Sequence, residues 1–263
     1  MFNLKKVLKA RKRLEFISSF LFKLFQIKLR YKENRKDYGI EIFEYFYLPW
    51  KSDEYFIENF ELIKNYTLNP KSRLFTLHEM SQKFLVDNSS FVEIGCWKGG
   101  ASGLVALGNK NKEIDYYVCD TFIGVTNSSE KDTFFRNEEY NDASINDVKE
   151  VESISRQKFN IIEGVFPNSM EKIQLNKPVS FAHIDVDTYI SAKESLDYLF
   201  KNSIKGALFV LDDYGGWFTD GVTKLGNELK LLNNLVVVPN HLGQLIIYKL
   251  WLLRSWKTLL KIF

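Results

Sequence analysis

The chain is poor in the residues that build cross-linked or metal-clustered small domains. Only two cysteines, Cys96 and Cys119, occur in 263 residues. They form no CxxC pair or other metal-type spacing, which argues against a disulfide framework and a zinc ribbon. Both fall near the ends of predicted strands, where cysteine serves as a small core residue, in keeping with a reducing cytosol. Histidine is almost as scarce, at three. His78 and His241 show no partner pattern, and His183 falls inside a predicted strand as a core residue would. Long apolar runs are missing as well. Phe16–Leu29 is broken by Lys23, Gln26 and Lys28, and no small-residue cleavage site follows it. Neither a membrane span nor a signal peptide is therefore expected. There is no internal repeat and no G-x-G-x-x-G dinucleotide fingerprint.

What is present is an ordinary globular composition, 45% hydrophobic and 26% charged, long enough to bury a full core. The net charge of +3 hides an asymmetry. Residues 1–36 carry 12 Lys/Arg against Glu15 and Glu33, or +10, so the remainder carries 3 − 10 = −7. Apolar positions at Leu4, Val7, Leu8, Leu14, Ile17, Leu21, Leu24 and Phe25 follow a helical period. The arm reads either as an amphipathic helix at an anionic membrane surface or as a helix packed on the domain or a second copy. The tail at 250–263 repeats the basic, Trp-rich pattern with Trp251, Arg254, Trp256, Lys257 and Lys261.

Residues 37–88 read as helical, broken at Pro49 and Pro70. From Ser90 strand and helix patterns alternate. Strands are expected near 91–95, 115–119, 159–163, 179–185 and 207–212, with late strands at Leu235–Pro239 and Gln244–Lys249. Helices are expected near 99–109, 144–157, 168–174, 189–202 and 220–232. Such alternation predicts an α/β fold, a mostly parallel, doubly wound sheet. The polar stretch Thr126–Asp142 is a long connection and a candidate lid.

Ligands bind beyond the carboxyl ends of strands in such sheets, so strand-end residues carry the functional expectation. Two short apolar runs end in acids: Ile184 is followed by Asp185-Val186-Asp187, and Leu211 by Asp212-Asp213-Tyr214. Carboxylates held close repel one another, and a divalent cation with oxygen ligands such as Mg²⁺ relieves this. Asp185, Asp212 and Asp213 are the metal-ligand candidates. Asp187, slightly further out, is a candidate general base. The strand Phe91-Val92-Glu93-Ile94 opens into Gly95-Cys96-Trp97-Lys98-Gly99-Gly100, a glycine-rich turn before a helix. Glu93 before Gly95, and Gly99 four residues on, look like the S-adenosylmethionine turn of class I methyltransferases, with Glu93 toward the amino end of the ligand. Asp120, ending the next strand, suits a ribose diol or else a turn cap. Gly164 and Phe166 end the third strand, where Phe166 would face an adenine ring or simply pack in the core.

Taken together, Phe91–Gly100, Asp120-Thr121-Phe122, Glu163–Pro167, His183–Tyr189 and Asp212–Gly215 resemble, in order, the macrocin O-methyltransferase (TylF-like) family over roughly residues 72–249. The resemblance implies a Rossmann-like class I methyltransferase fold with a mostly parallel seven-stranded sheet, helices on both faces and a helical N-terminal extension. It implies Mg²⁺ at Asp185, Asp212 and Asp213, a catalytic base at Asp187, and S-adenosylmethionine contacts around Glu93, Gly95, Trp97 and Asp120. The expected partition is a basic arm (1–36), a helical cap (37–88), a methyltransferase domain (89–249) and a basic tail (250–263). The expected activity is methyl transfer to a sugar hydroxyl of a glycoside or a polysaccharide or glycolipid precursor. A catechol-type O-methyltransferase and an inactive membrane-docked protein of the same fold are the alternatives. A cytoplasmic homo-oligomer is expected, with no nucleic-acid partner and with peripheral membrane contact through the basic termini. Two features depart from the family pattern: Asn88-Ser89-Ser90 before the first strand, and Ile123-Gly124-Val125 after Asp120-Thr121-Phe122.

Overall fold

The computed structural model describes residues 49–134, 139–170, 174–216 and 218–250. The basic arm (1–36), residues 37–48 of the cap and residues 251–263 of the tail lie outside the described residues. Within them the seven expected strands form one sheet: β1 (Ser89–Ile94), β2 (Ile114–Asp120), β3 (Phe159–Glu163), β4 (Val179–Ile184), β5 (Ser203–Leu211), β6 (Leu235–Pro239) and β7 (Leu245–Lys249). Their spatial order is β3-β2-β1-β4-β5-β7-β6. The first five are parallel, and β7 runs antiparallel to both β5 and β6. The strand order reverses between β1 and β4, so the helices that follow them pack on opposite faces and a crevice opens at their carboxyl ends.

Among the described residues, six α-helices surround this sheet: α1 (Glu54–Ile63), α2 (Lys71–Phe84), α3 (Gly100–Gly108), α4 (Ile145–Ser155), α5 (Tyr189–Asn202) and α6 (Asp220–Lys230). The expected helix at 168–174 is a 3₁₀ turn over Asn168–Met170, closed by Met170 N–H to Pro167 C=O; residues 171–173 lie outside the description. The two faces of the sheet are told apart by strand parity. Val92, Ile94, Ala182, Ile184, Phe209 and Leu211 join α5 and α6 in one apolar layer. Phe91, Tyr116, Phe181, Leu208 and Val210 join α1–α4 in the other. Burying each large apolar side chain contributes about 1.5–3 kcal/mol. Because α3 is enclosed by the sheet and by α1, α2 and α4, it is buried from Gly100 to Leu107 and shows no polar face. Cys96 and Cys119 are buried free thiols, as the strand-end reading expects.

Candidate active site

The turn after β1 is shaped by contact with β4. Gly95 adopts φ +81°, and a Cβ there would stand 1.8 Å from the carbonyl oxygen of Asp185. Its N–H donates to Cys119 C=O at 2.9 Å, and the Asp185 N–H donates to Ile94 C=O at 2.9 Å. Trp97 N–H then donates to Asp120 Oδ2, and Phe122 N–H to Asp120 Oδ1, both at 2.8 Å. Asp120 thus serves as a turn cap, and each oxygen keeps a lone pair for a ligand hydroxyl. Burial raises its pKa above the usual carboxylate value, against the pull of those backbone donors. The Trp97 indole N–H donates to Asp142 Oδ1 at 2.8 Å.

A cavity of about 250 Å³ opens over the crevice. Gly95, Trp97, Asp120, Gly164 and Phe166 line it on the β1–β3 side, and Asp185, Asp187 and Asp213 on the β4–β5 side. Two residues expected at the cofactor do not line it. Gly99 is the left-handed residue (φ +83°) that starts α3, one step behind the wall. Glu93 has the parity of Phe91, so its side chain goes under α3 instead of toward the strand ends. There it is 1% exposed and accepts from the Ser102 N–H at 2.9 Å and from the Ser102 hydroxyl.

Glu93 begins a buried polar row across three strands. His183 Nδ1 lies 2.8 Å from Glu93 Oε1, and His183 Nε2 lies 3.3 Å from Asp212 Oδ2. Gln244 donates to Asp212 Oδ1 at 2.8 Å. Burial favours the neutral imidazole, but the charges of Asp212 and Glu93 outweigh it and hold the His183 pKa well above its usual value. Burial alone would raise Asp212, but the His183 charge outweighs it and the pKa falls below the usual value. His183 is thus a core residue, as expected, but an ion-paired one.

Above this row the carboxyls converge. One oxygen each of Asp185, Asp187 and Asp213 lie within 4.8 Å of one another, and the same holds for ligand atoms of His183, Asp185 and Asp212. Asp187 and Asp213 sit in left-handed turns at φ +61° and +66°, and both line the cavity. Burial, then the Asp212 and Asp213 charges, push Asp185 well above the usual carboxylate range. Burial, then Asp185 and Asp213, do the same to Asp187. His183 turns its two ring nitrogens to Glu93 and Asp212, so the donors left for an ion are carboxylate oxygens, which suit a hard divalent cation. Asp212 Oδ2 is buried between His183 Nε2 at 3.3 Å and Arg73 at 3.6 Å, ion-pair neighbours that make no hydrogen bond to it.

Two groups from the helical cap complete the cluster, and neither stood out in the sequence. Asn69 donates its amide to Asp185 Oδ2 at 2.9 Å. Arg73 donates to Asp213 Oδ1 at 2.9 Å, lies 3.6 Å from Asp212 Oδ2, and donates Nε–H to Leu242 C=O at 2.8 Å. Pro70 breaks the chain before α2, and this break places Asn69 and Arg73 over the strand ends; the Asn-Pro step was the available signal. Gln244 and Tyr140, which also lines the cavity, carried no sequence signal.

The chain matches the Macrocin-O-methyltransferase (TylF) family over residues 63–237. No curated protein sequence matches it. Among solved structures, the O-methyltransferase NovP aligns with a TM-score of 0.51 at 18% identity, over 70% of this chain and 82% of that one. CalS11, a calicheamicin methyltransferase, aligns with a TM-score of 0.54 at 13% identity, over 82% of this chain and 99% of that one. At these identities the two structures bear on the fold alone.

Proposed function

Because this chain belongs to the macrocin O-methyltransferase family of S-adenosylmethionine-dependent O-methyltransferases, we propose that it methylates a sugar hydroxyl, with Mg²⁺ held by Asp185, Asp212 and Asp213. The observation that carries this reading is the single cavity walled by the Gly95–Trp97 turn and Asp120 on one side and by the carboxylate cluster on the other. Asp120 would accept from the ribose diol, the Gly95–Trp97 turn would wall the cofactor, and Phe166 would border the base. When bound, the cofactor supplies an electrophilic methyl group, and the cation supplies Lewis acidity to adjacent acceptor oxygens.

The residues of the chain do the rest. Asn69 and Arg73 orient Asp185 and Asp213 by hydrogen bonds. The His183–Glu93 pair keeps Asp212 ionised and in place. Asp187, which lines the cavity beside Asp185 and Asp213, takes the hydroxyl proton. Most of the acceleration comes from alignment, which in well-oriented systems is worth about 7–11 kcal/mol.

The +10 charge of residues 1–36 supports an acceptor presented at an anionic surface, such as a glycolipid precursor. Among the described residues, no helix is long and apolar enough to cross a membrane. The test is incubation with S-adenosylmethionine and Mg²⁺ against pools of glycosides, nucleotide sugars and glycolipids, read by mass spectrometry. Methylated sugar is expected. Methylation of flat catechols alone would overturn the sugar assignment. No transfer to any pool would overturn the reading as a whole. Pelleting with anionic vesicles before and after removal of residues 1–36, with size-exclusion in parallel, separates surface binding from self-association.

A further inference from the structure

The long connection between β2 and α4 contains a buried carboxylate that lies outside the cavity. Asp132 is 5% exposed. Its Oδ2 accepts from the Ser129 N–H at 2.9 Å and the Ser129 hydroxyl at 2.8 Å, and its Oδ1 accepts from the Tyr189 N–H at 2.9 Å. Tyr189 is the first residue of α5, and Thr188, at the capping position, makes no side-chain cap bond. The cap comes from another segment: Asp132 takes the Tyr189 donor, and the Thr188 and Ser191 hydroxyls both turn to Thr126 C=O, at 3.2 and 3.3 Å.

The same carboxylate presses on α6. Thr219 at its capping position also makes no side-chain cap bond. Thr133 N–H donates to Asp220 Oδ1 at 3.1 Å, and a Cβ on Gly221 would stand 1.8 Å from Asp132 Oδ1. One carboxylate thus sits against the first turns of both helices that leave the acid-bearing strands. A negative charge is favoured at both helix N-termini. Asp187 lies two residues before Tyr189, and the Thr219 hydroxyl donates to the Asp213 carbonyl at 2.7 Å.

We propose that Asp132 is a positioning residue: by clamping the first turns of α5 and α6 it sets the left-handed turns that aim Asp187 and Asp213 at the cavity. The consequence for cation affinity rests on the proposed metal site; the clamp itself does not. Three measurements on the full-length protein test it: Mn²⁺ affinity by electron paramagnetic resonance, S-adenosylhomocysteine affinity by calorimetry, and amide hydrogen exchange. Asp132→Ala is expected to speed exchange over residues 126–133 and 187–192 while the strands keep their protection. Its Mn²⁺ dissociation constant should rise about 10-fold or more, as for other supporting contacts behind metal ligands. S-adenosylhomocysteine affinity should stay within about twofold, since Asp132 touches none of Gly95, Trp97, Asp120, Gly164 and Phe166. Asp132→Asn, which keeps a carbonyl acceptor for Tyr189, should restore most of the protection and affinity, and carries the test if the alanine variant does not fold.

A lowered melting temperature with unchanged exchange at 187–192 would reduce Asp132 to a stability role and overturn the proposal. Equal losses of both ligands would overturn it too, by showing general damage. If the wild-type protein binds no Mn²⁺, the cation reading fails, and the exchange pattern alone then decides the clamp.

Discussion

Gly95 and Gly215 share a left-handed backbone, φ +81° and +83°, but not a neighbourhood. A Cβ on Gly215 would meet nothing within 4 Å, whereas one on Gly95 would stand 1.8 Å from the Asp185 carbonyl oxygen. Real Cβ contacts essentially never fall below 3.0 Å, so Gly95→Ala must separate β1 from β4 locally by at least 3.0 − 1.8 = 1.2 Å. Backbone strain at a left-handed non-glycine residue costs about 1–3 kcal/mol and applies to both variants. Overpacking adds about 1–3 kcal/mol and applies to Gly95 alone. Gly215→Ala is therefore expected to lower the melting temperature by about 2–12 °C and Gly95→Ala by about 4–24 °C, at about 2–4 °C per kcal/mol. The robust quantity is the difference between them. Circular dichroism melts read it, and calorimetry with S-adenosylhomocysteine reads the loss of binding expected only for Gly95→Ala. Equal melting shifts with cofactor binding intact in both would refute the close approach of the first turn to β4.

Three further outcomes test the site. Raised pKa values at Asp185 and Asp187 mean that the folded protein holds protons the unfolded chain releases. Without a cation, this pair costs stability increasingly as pH rises past the unfolded Asp value of about 3.9. The melting-temperature gain from Mg²⁺ should then be small near about pH 5 and grow toward about pH 8; a gain that does not change with pH would contradict the cluster as the binding site. Asp187→Asn should lower turnover of the acceptor found by screening roughly 10²–10⁴-fold while Mn²⁺ and S-adenosylhomocysteine stay bound. Loss of Mn²⁺ would make Asp187 a ligand, in line with its place beside Asp185 and Asp213. Asp120→Ala should weaken S-adenosylhomocysteine by about 1.5–3 kcal/mol, since a charge-assisted acceptor is lost; an unchanged dissociation constant would place the ribose elsewhere.

The strand pattern was legible because each strand of the parallel sheet is a short, apolar, β-branched or aromatic run, and because Gly, Asn and Asp mark the breaks. β4, buried along its whole length, ends one residue before Asp185, where the apolar run stops. Of the helix expected at 168–174, the described residues Asn168–Met170 form a 3₁₀ turn, which a short local period does not distinguish from the start of a helix.

Glu93 shows where reading along the chain stops. Proximity to Gly95 suggested a cofactor contact, but alternation along β1 decides which face a side chain takes, and only the packed sheet shows that α3 covers that face. Asp212 and Asp213 are neighbours in sequence and part ways for the same reason. One joins the buried row with His183 and Gln244; the other turns toward the cavity and Arg73.

By itself, the sequence determined the order and type of the elements and which strand ends carry acids, because both are local: periodicity, turn residues and the apolar-to-acidic switch lie within a few residues. Only the tertiary structure decided the partners. Asn69 reaches Asp185 across 116 positions, Arg73 reaches Asp213 across 140, and Gln244 reaches Asp212 across 32. The last pairing follows from the strand order, which sets β7 beside β5, and the first two from the packing of α2 on β4 and β5. The order is a property of the packed sheet, since the covering helices and the sheet must bury their apolar faces together.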